Sequence, residues 1–266
     1  MGSLKPWHAE LLEELDFMVV PFELLPDNCY DLVSLKAGTV VLNLMSFDST
    51  KLPEELIELQ ETFGRKNSQL IHVWEDVWGS RKEQVLSRIK AIVGFNTRIH
   101  ARKTAVTILS QLEADAFLNE NHLQYTVRLK YRYGLVLDSR LVAVAGFSAL
   151  RKMHNDMDDY RSAELIRFAN LQDTTVVGGF TKILAHFIKV HQPDDVMSYA
   201  DRDWSLGSSY ERSGFKHVET TLPSRIFVDK KTLARTFPHR LTNISSENGY
   251  FEVYNTGNLK YILACE

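Results

Sequence analysis

Cysteine is nearly absent: Cys29 and Cys265 are the only two in 266 residues. Two thiols cannot build a disulfide framework or a cysteine-rich zinc site, and they fit a reduced, cytoplasmic setting. No apolar run approaches the ~18 residues that a membrane-spanning helix needs, and the first residues lack the pattern of a secretory leader. An excess of one charge is missing too. Lys and Arg number 31 against 34 Asp and Glu, for a formal charge of -3. That excludes a globally cationic nucleic-acid wrapper and leaves room for a local basic patch. No internal repeat or low-complexity tract occurs. What remains is globular composition, 44% hydrophobic and 24% charged, enough to bury a core in one large domain or two modest ones.

Residues 1–97 alternate helix and strand signals. Leu11, Leu12, Leu15 and Met18 recur at helical spacing after Pro6. The stretches 31–33 and 39–44 read as strands, Pro53 to Phe63 as a helix with Glu54 and Glu55 in its first turn, 70–74 as a strand and 81–93 as an amphipathic helix. A second unit begins near Arg98. Its order is strand (105–109), helix (111–119), two strands joined by Asp138-Ser139, a fourth strand (163–168), a glycine-containing loop (174–179), helix (180–190), strand (196–200), helical turn (207–213) and strand. The last residues, 231–266, read as an extension closing in a hairpin of 250–254 and 259–264. The fold class is α/β with α+β character: a three-layer first domain, 1–97, then a mixed sheet flanked by helices, 98–230.

That order carries Val176-Val177-Gly178-Gly179-Phe180 into a helix and Ser208-Ser209-Tyr210-Glu211-Arg212-Ser213-Gly214-Phe215 after the following strand. Over residues 100–230 it resembles the GNAT acyltransferase fold. The resemblance implies acetyl-CoA or another acyl-CoA as donor, its pyrophosphate held by Thr174, Thr175, Val177, Gly178, Gly179 and Phe180. The physics stands apart from the family: glycines let backbone approach a phosphate, and free amides at a helix N-terminus donate to it. The family's spacing is not intact, because the two glycines are adjacent and no basic residue sits just before them. The resemblance further implies Tyr210 as the acid that protonates the leaving thiolate, with His122 or Asp201 taking the amine's proton. Each has a plainer reading: a turn for Gly-Gly, a packed aromatic for Tyr210, a capping histidine for His122.

A narrower resemblance rests on Ala163-Glu164-Leu165-Ile166-Arg167-Phe168-Ala169-Asn170, Ser198-Tyr199-Ala200-Asp201-Arg202, Asn121-His122-Leu123-Gln124 and Tyr254-Asn255-Thr256-Gly257-Asn258-Leu259-Lys260. These segments are similar to phage-encoded GNAT-like proteins and, more distantly, to Mom-type DNA-modification proteins. DNA is then the implied acceptor. Iron or zinc at His122 and Asp201 follows only in the Mom-like case, and otherwise no metal is expected. Arg128, Lys130 and Arg132 alternate with Leu129, Tyr131 and Tyr133, which on a strand puts three cations on one face, either to track phosphates or as a solvated surface. Trp204 is a candidate for stacking on a base.

The first domain resembles a restriction-endonuclease-like fold with its chemistry removed. Asp31 stands where the first metal-binding acid belongs, but Asn43 follows in place of the second and no lysine comes two residues later. Glu75 and Asp76 remain candidate metal ligands, but, read as ending a strand, they point to opposite faces and do not easily serve one ion. The expectations are therefore an acyl-CoA-dependent N-acyltransferase behind a degenerate nuclease-like domain, or a non-catalytic DNA-binding protein built from two decayed enzyme domains.

Overall fold

The computed structural model describes residues 5–152, 159–238 and 249–265. They form two compact units. One comprises Met1–Val93, Ala200–Leu206 and Thr220–Asn258; the other Gly94–Tyr199, Gly207–Glu219 and Leu259–Glu266.

In the first unit, α1 (Pro6–Phe17) opens on a proline, whose missing N–H costs nothing there, and buries Trp7, His8, Leu11 and Leu15. The strands β1 (Phe22–Leu25), β2 (Leu32–Leu35) and β3 (Val40–Met45) form an antiparallel meander. Helix α2 (Pro53–Arg65) then crosses to β4 (Gln69–Trp74), which lies parallel to β3. Every residue of β3 is buried, which is why its sequence reads as a near-continuous apolar run. Helix α3 (Glu75–Val93) follows β4 directly and breaks at Arg81, where φ is -142° and ψ 34°.

Two expectations change here. Glu75 and Asp76 lie in the first turn of α3, not on a strand, and both are engaged: Glu75 Oε2 accepts from Phe47 N at 3.1 Å, and Asp76 binds Arg235 through Nε at 2.6 Å and Nη2 at 3.0 Å. Asn43 pairs with Leu32 across β2 and β3, and its Nδ2 lies 3.1 Å from His72 Nδ1. Asp31 is opposite Leu44, whose N–H donates to its carbonyl at 2.9 Å. Strand alternation therefore turns Asp31 and Asn43 to opposite faces of the sheet.

The second unit starts with β5 (Thr97–His100), β6 (Ala105–Ile108) and α4 (Gln111–Asn121). Helix α4 begins in a capping box: Ser110 Oγ accepts from Glu113 N at 3.2 Å and Glu113 Oε2 from Ser110 N at 2.8 Å. Strands β7 (Tyr131–Leu137) and β8 (Arg140–Phe147) join through Asp138 and Ser139, with φ 47° and 64°, the paired positive values of a tight hairpin turn. Next come β9 (Arg151–Lys152), β10 (Arg161–Asn170), β11 (Thr174–Val177), α5 (Gly179–His191), β12 (Asp195–Asp201), α6 (Ser208–Glu211) and β13 (Lys216–Thr220). Residues 174–177, read from sequence as loop, are a strand because β5 offers a parallel partner, Thr174↔Thr97 through Val177↔His100.

The chain then returns to the first unit as a three-stranded sheet of β14 (Arg225–Asp229), β15 (Arg235–Thr236) and β16 (Tyr250–Tyr254). The last strand, β17 (Asn258–Ala264), completes the second unit's sheet, in the order β13-β17-β12-β10-β8-β7-β6 with β9 alongside β10. The two arms of the expected closing hairpin thus belong to different sheets: β16 lies at the edge beside β14, and β17 lies between β13 and β12. Helix α4 packs Phe117 and Leu118 with Val144 on one face of this sheet. Helix α5 covers the other, where Phe187 stacks on Phe147 at 3.9 Å.

His72 is fully buried in the first unit, with Nε2 3.3 Å from the Leu56 carbonyl. Burial, aided by the Arg202 charge and opposed by the Leu56 hydrogen bond, pushes its pKa down to about 4. The unfolded chain therefore binds a proton below pH 6.5 that the folded one refuses, so stability is full above 6.5 and falls as pH drops toward 4. The expected loss is on the order of 3 kcal/mol. Urea unfolding of wild type and His72→Gln across this range checks it: the difference between the two should narrow as pH falls.

Candidate functional site

Strands β10 and β12 pair in parallel only from Ser162↔Asp195 to Leu165↔Ser198, although β10 continues to Asn170 and β12 to Asp201. Beyond that rung they part. On its other side β10 shifts register against β8 between Leu165 and Arg167, a bulge that bends the strand and leaves the extra residue, Ile166, unpaired in the ladder. The side chains gathered at the parting are specific. Ser198, 1% exposed, places Oγ 2.9 Å from the Leu165 carbonyl and 3.0 Å from Tyr210 Oη. The half-buried Tyr210 ring stacks on Tyr261 at 5.1 Å and takes edge contacts from Phe180 at 5.5 Å and Phe215 at 5.4 Å.

Phe180 ties this cluster to the glycine turn. Gly178, at φ 76°, caps α5, and the first intrahelical bond runs from Lys182 N to the Gly178 carbonyl at 3.0 Å. The amides of Gly179, Phe180 and Thr181 precede that bond and form the positive end of the helix. The two glycines do different work. A Cβ on Gly179 would lie 2.9 Å from Val176 Cβ, so this glycine serves packing. A Cβ on Gly178 would meet nothing nearer than Ala101 Cβ at 3.7 Å, so the turn is open on that side. Thr174 is buried, Thr175 half-buried and Val177 exposed. Lys182 Nζ binds the carbonyls of Ala101 and Thr104 and fixes the turn after β5 beside the glycines.

The remaining candidates are distributed otherwise. His122 caps α4, and its Nδ1 accepts from Gln124 N at 2.9 Å, which commits the lone pair of that nitrogen. Strand β7 begins only at Tyr131, so Arg128 and Lys130 precede it, exposed, and the three cations do not share one strand face. Arg132 turns inward: its guanidinium donates to the carbonyls of Leu109 at 3.0 Å, Leu129 at 2.6 Å and Lys130 at 3.2 Å. Trp204 is 7% exposed, so its ring has no face to offer a base. Asp201 Oδ1 accepts from Asp203 N at 3.0 Å. Asp201 belongs to the first unit and His122 to the second. Among the described residues no three His, Cys, Asp or Glu side chains gather in metal-binding geometry.

Residues to which the sequence assigned no role stand at the parting. Ser198 appeared there only within a resemblance segment, one serine on an apolar strand. Tyr261 reaches Tyr210 only through the sheet. Arg167 donates to the Ile166 carbonyl at 2.9 Å; burial lowers its pKa, against the opposing pull of Glu164 and Tyr210. The adjacent Glu164-Leu165-Ile166-Arg167 carried a signal, since charges at both ends of an apolar pair are unusual on a strand with two covered faces.

Gly207, at φ 76°, begins α6 directly against Tyr261. A Cβ there would run into the Tyr261 hydroxyl and lie 2.5 Å from its Cζ, and Tyr261 is too buried to withdraw. Gly207→Ala is therefore expected to cost about 2 kcal/mol through overpacking and left-handed strain. Urea unfolding measures the loss, and the near-ultraviolet circular dichroism of the stacked tyrosines should change with it.

No protein-family profile matches the sequence, and no curated protein matches it at a significant level. Solved structures do resemble it. An acetyltransferase of Bacillus subtilis in complex with CoA is 14% identical, with a TM-score of 0.40 over 62% of this chain and 100% of its own. A GNAT family acetyltransferase of Elizabethkingia anophelis with acetyl-CoA bound is 11% identical, with a TM-score of 0.37 over 61% and 99%. The ribosomal-protein-S18-alanine N-acetyltransferase of Escherichia coli is 11% identical, with a TM-score of 0.38 over 60% and 93%. Scores of this size carry no inference about activity, which rests on the geometry of the site itself.

Proposed function

We propose that the second unit is an acyl-CoA-dependent N-acyltransferase. The observation that carries this reading is the parting of β10 and β12 at Leu165 and Ser198, with the open glycine end of α5 and the Tyr210 hydroxyl both joined to it through Phe180 and Ser198. In this reading the amides of Gly179, Phe180 and Thr181 receive the pyrophosphate of the donor. The thioester lies along the parted strands, its carbonyl polarised by backbone at the β10 bulge. An amine nitrogen attacks the carbonyl carbon. The C–N bond forms, the C–S bond breaks, and Tyr210 gives its proton to the departing sulfur. The amine's proton leaves through water to a carboxylate, for which Glu164 on β10 is the candidate within this unit.

Calorimetric titration with acetyl-CoA tests the binding half. Saturation at a hundredfold excess over Kd should stabilise the protein by about 2.7 kcal/mol, and Gly178→Val, which fills the open side of the turn, should abolish the heat. Tyr210→Phe should keep the heat and lose ~10²–10⁴ in turnover. Millimolar acetyl-CoA that shifts neither heat nor melting temperature would leave a non-catalytic binding protein as the better reading.

DNA as acceptor, with the phage-type and Mom-like kinship that goes with it, is a second reading. Exposure of Arg128 and Lys130 ahead of β7 favours it. Duplex binding by fluorescence anisotropy over a salt series tests it. Removing both cations should lower the slope of log affinity against log salt by roughly 2, since each cation that neutralises a phosphate accounts for about one unit of slope. An unchanged slope removes these residues from the interface.

A further inference from the structure

Ser198 has one hydroxyl proton and two oxygen neighbours, the Leu165 carbonyl at 2.9 Å and Tyr210 Oη at 3.0 Å. A carbonyl only accepts, whereas a phenol both donates and accepts. While the serine donates to Leu165, the contact with Tyr210 must be made by the tyrosine's proton. When the serine turns its O–H to Tyr210, the tyrosine's proton is released for another acceptor. Both arrangements use the same heavy atoms, and passing between them needs only rotation of two hydroxyls. The aromatic contacts clamp the Tyr210 ring but leave this choice open, because Tyr261, Phe180 and Phe215 touch it through their rings. Ser198 itself does not wander: it is buried and sits on the last paired rung of β12.

We propose that Ser198 is a positioning residue for Tyr210, turning its hydroxyl from the Leu165 carbonyl to the tyrosine oxygen as Tyr210 gives up its proton. This rests on the acyltransferase reading above. Before transfer, Ser198 accepts the phenol's proton in a hydrogen bond and holds the acid in place. During transfer, the Tyr210 proton passes to the sulfur as the C–S bond breaks, leaving a phenolate. Ser198 then donates to that phenolate without losing its own proton, and water restores the proton to Tyr210. A hydrogen bond to a charged oxygen is stronger than one to a carbonyl, so the serine favours the state in which the proton has left. The thioester never touches Ser198, and its contribution acts wholly through Tyr210.

The test measures thiol release from acetyl-CoA with hydroxylamine as probe nucleophile, alongside acetyl-CoA affinity by calorimetry. Ser198→Ala is expected to lower kcat by about tenfold to a hundredfold, with the acetyl-CoA KM and Kd within about twofold of wild type. Ser198→Thr, which keeps the hydroxyl, should restore most of the rate. Ser198→Cys, nearly the same size with a weaker donor, should fall between and guards against a misfolded alanine variant. Action through Tyr210 predicts that Ser198→Ala combined with Tyr210→Phe is no slower than Tyr210→Phe alone. Rate losses that multiply in the double variant overturn the proposal, as does full activity in Ser198→Ala when Tyr210→Phe is slow. Both results leave the acyltransferase reading standing. A Tyr210→Phe protein as fast as wild type overturns the proposal and the acid role of Tyr210 but leaves the acyltransferase reading standing, whereas a wild type that binds no acetyl-CoA and releases no thiol overturns both.

Discussion

Everything at the candidate site follows from two parallel neighbours that stop pairing. Strands β10 and β12 are joined through α5, a crossover that returns the chain to the same sheet. Had they stayed paired to their ends, no opening would lie in front of the helix. Parting leaves backbone groups that need partners, because an unpaired buried carbonyl costs as much as a lost hydrogen bond. The Leu165 carbonyl takes the Ser198 hydroxyl. On the last paired rung, that hydroxyl is a polar atom 3.0 Å from Tyr210 Oη. The bulge at Ile166 is the same constraint seen from the other edge of β10: the strand bends away while keeping its pairing to β8.

The aromatic side chains turn this opening into a defined place. Tyr210 comes from the short helix α6, which has little intrinsic stability at four residues. It is held from below by Tyr261 on β17 and from the side by Phe180 in the first turn of α5. Strand β17 reaches the sheet only after the chain has left to build β14, β15 and β16. The support for Tyr210 thus arrives from the far end of the chain, and Gly207 is what lets the Tyr261 hydroxyl come so close.

The first unit is held by a different device. Its three chain segments are stitched by buried polar contacts as well as by apolar packing. Asp203 accepts from Thr256 N at 2.9 Å and Thr256 Oγ1 at 2.7 Å, His72 N donates to the Asp203 carbonyl at 3.0 Å, and Asp76 forks onto Arg235. Burial raises the pKa of Asp203 while the Thr256 hydrogen bonds and the charges of Arg235 and Arg202 pull it back. Such groups stabilise little when satisfied and cost several kcal/mol when one partner is removed, about 3–5 for a buried ion pair. They specify which segment goes where.

Local signals decided the elements. Pro6 and Pro53 open helices, Ser110 and Glu113 cap one, Asp138-Ser139 turns a hairpin, and apolar periodicity marks β3, β4 and α5, all through interactions within a few residues of each other. The mixed α/β class and the order of elements in the second unit were legible for that reason. Partners far apart in sequence were not. The loop at 174–177 became a strand because β5 lies beside it, β16 and β17 separated because one pairs with β14 and the other fills the place between β13 and β12, and Trp204 and Arg132 turned inward because burial and free carbonyls awaited them. Ser198 stood in the sequence only inside a resemblance segment, with no role of its own. Its meaning comes from standing on the last rung before two strands part, and that rung exists only once the sheet has formed.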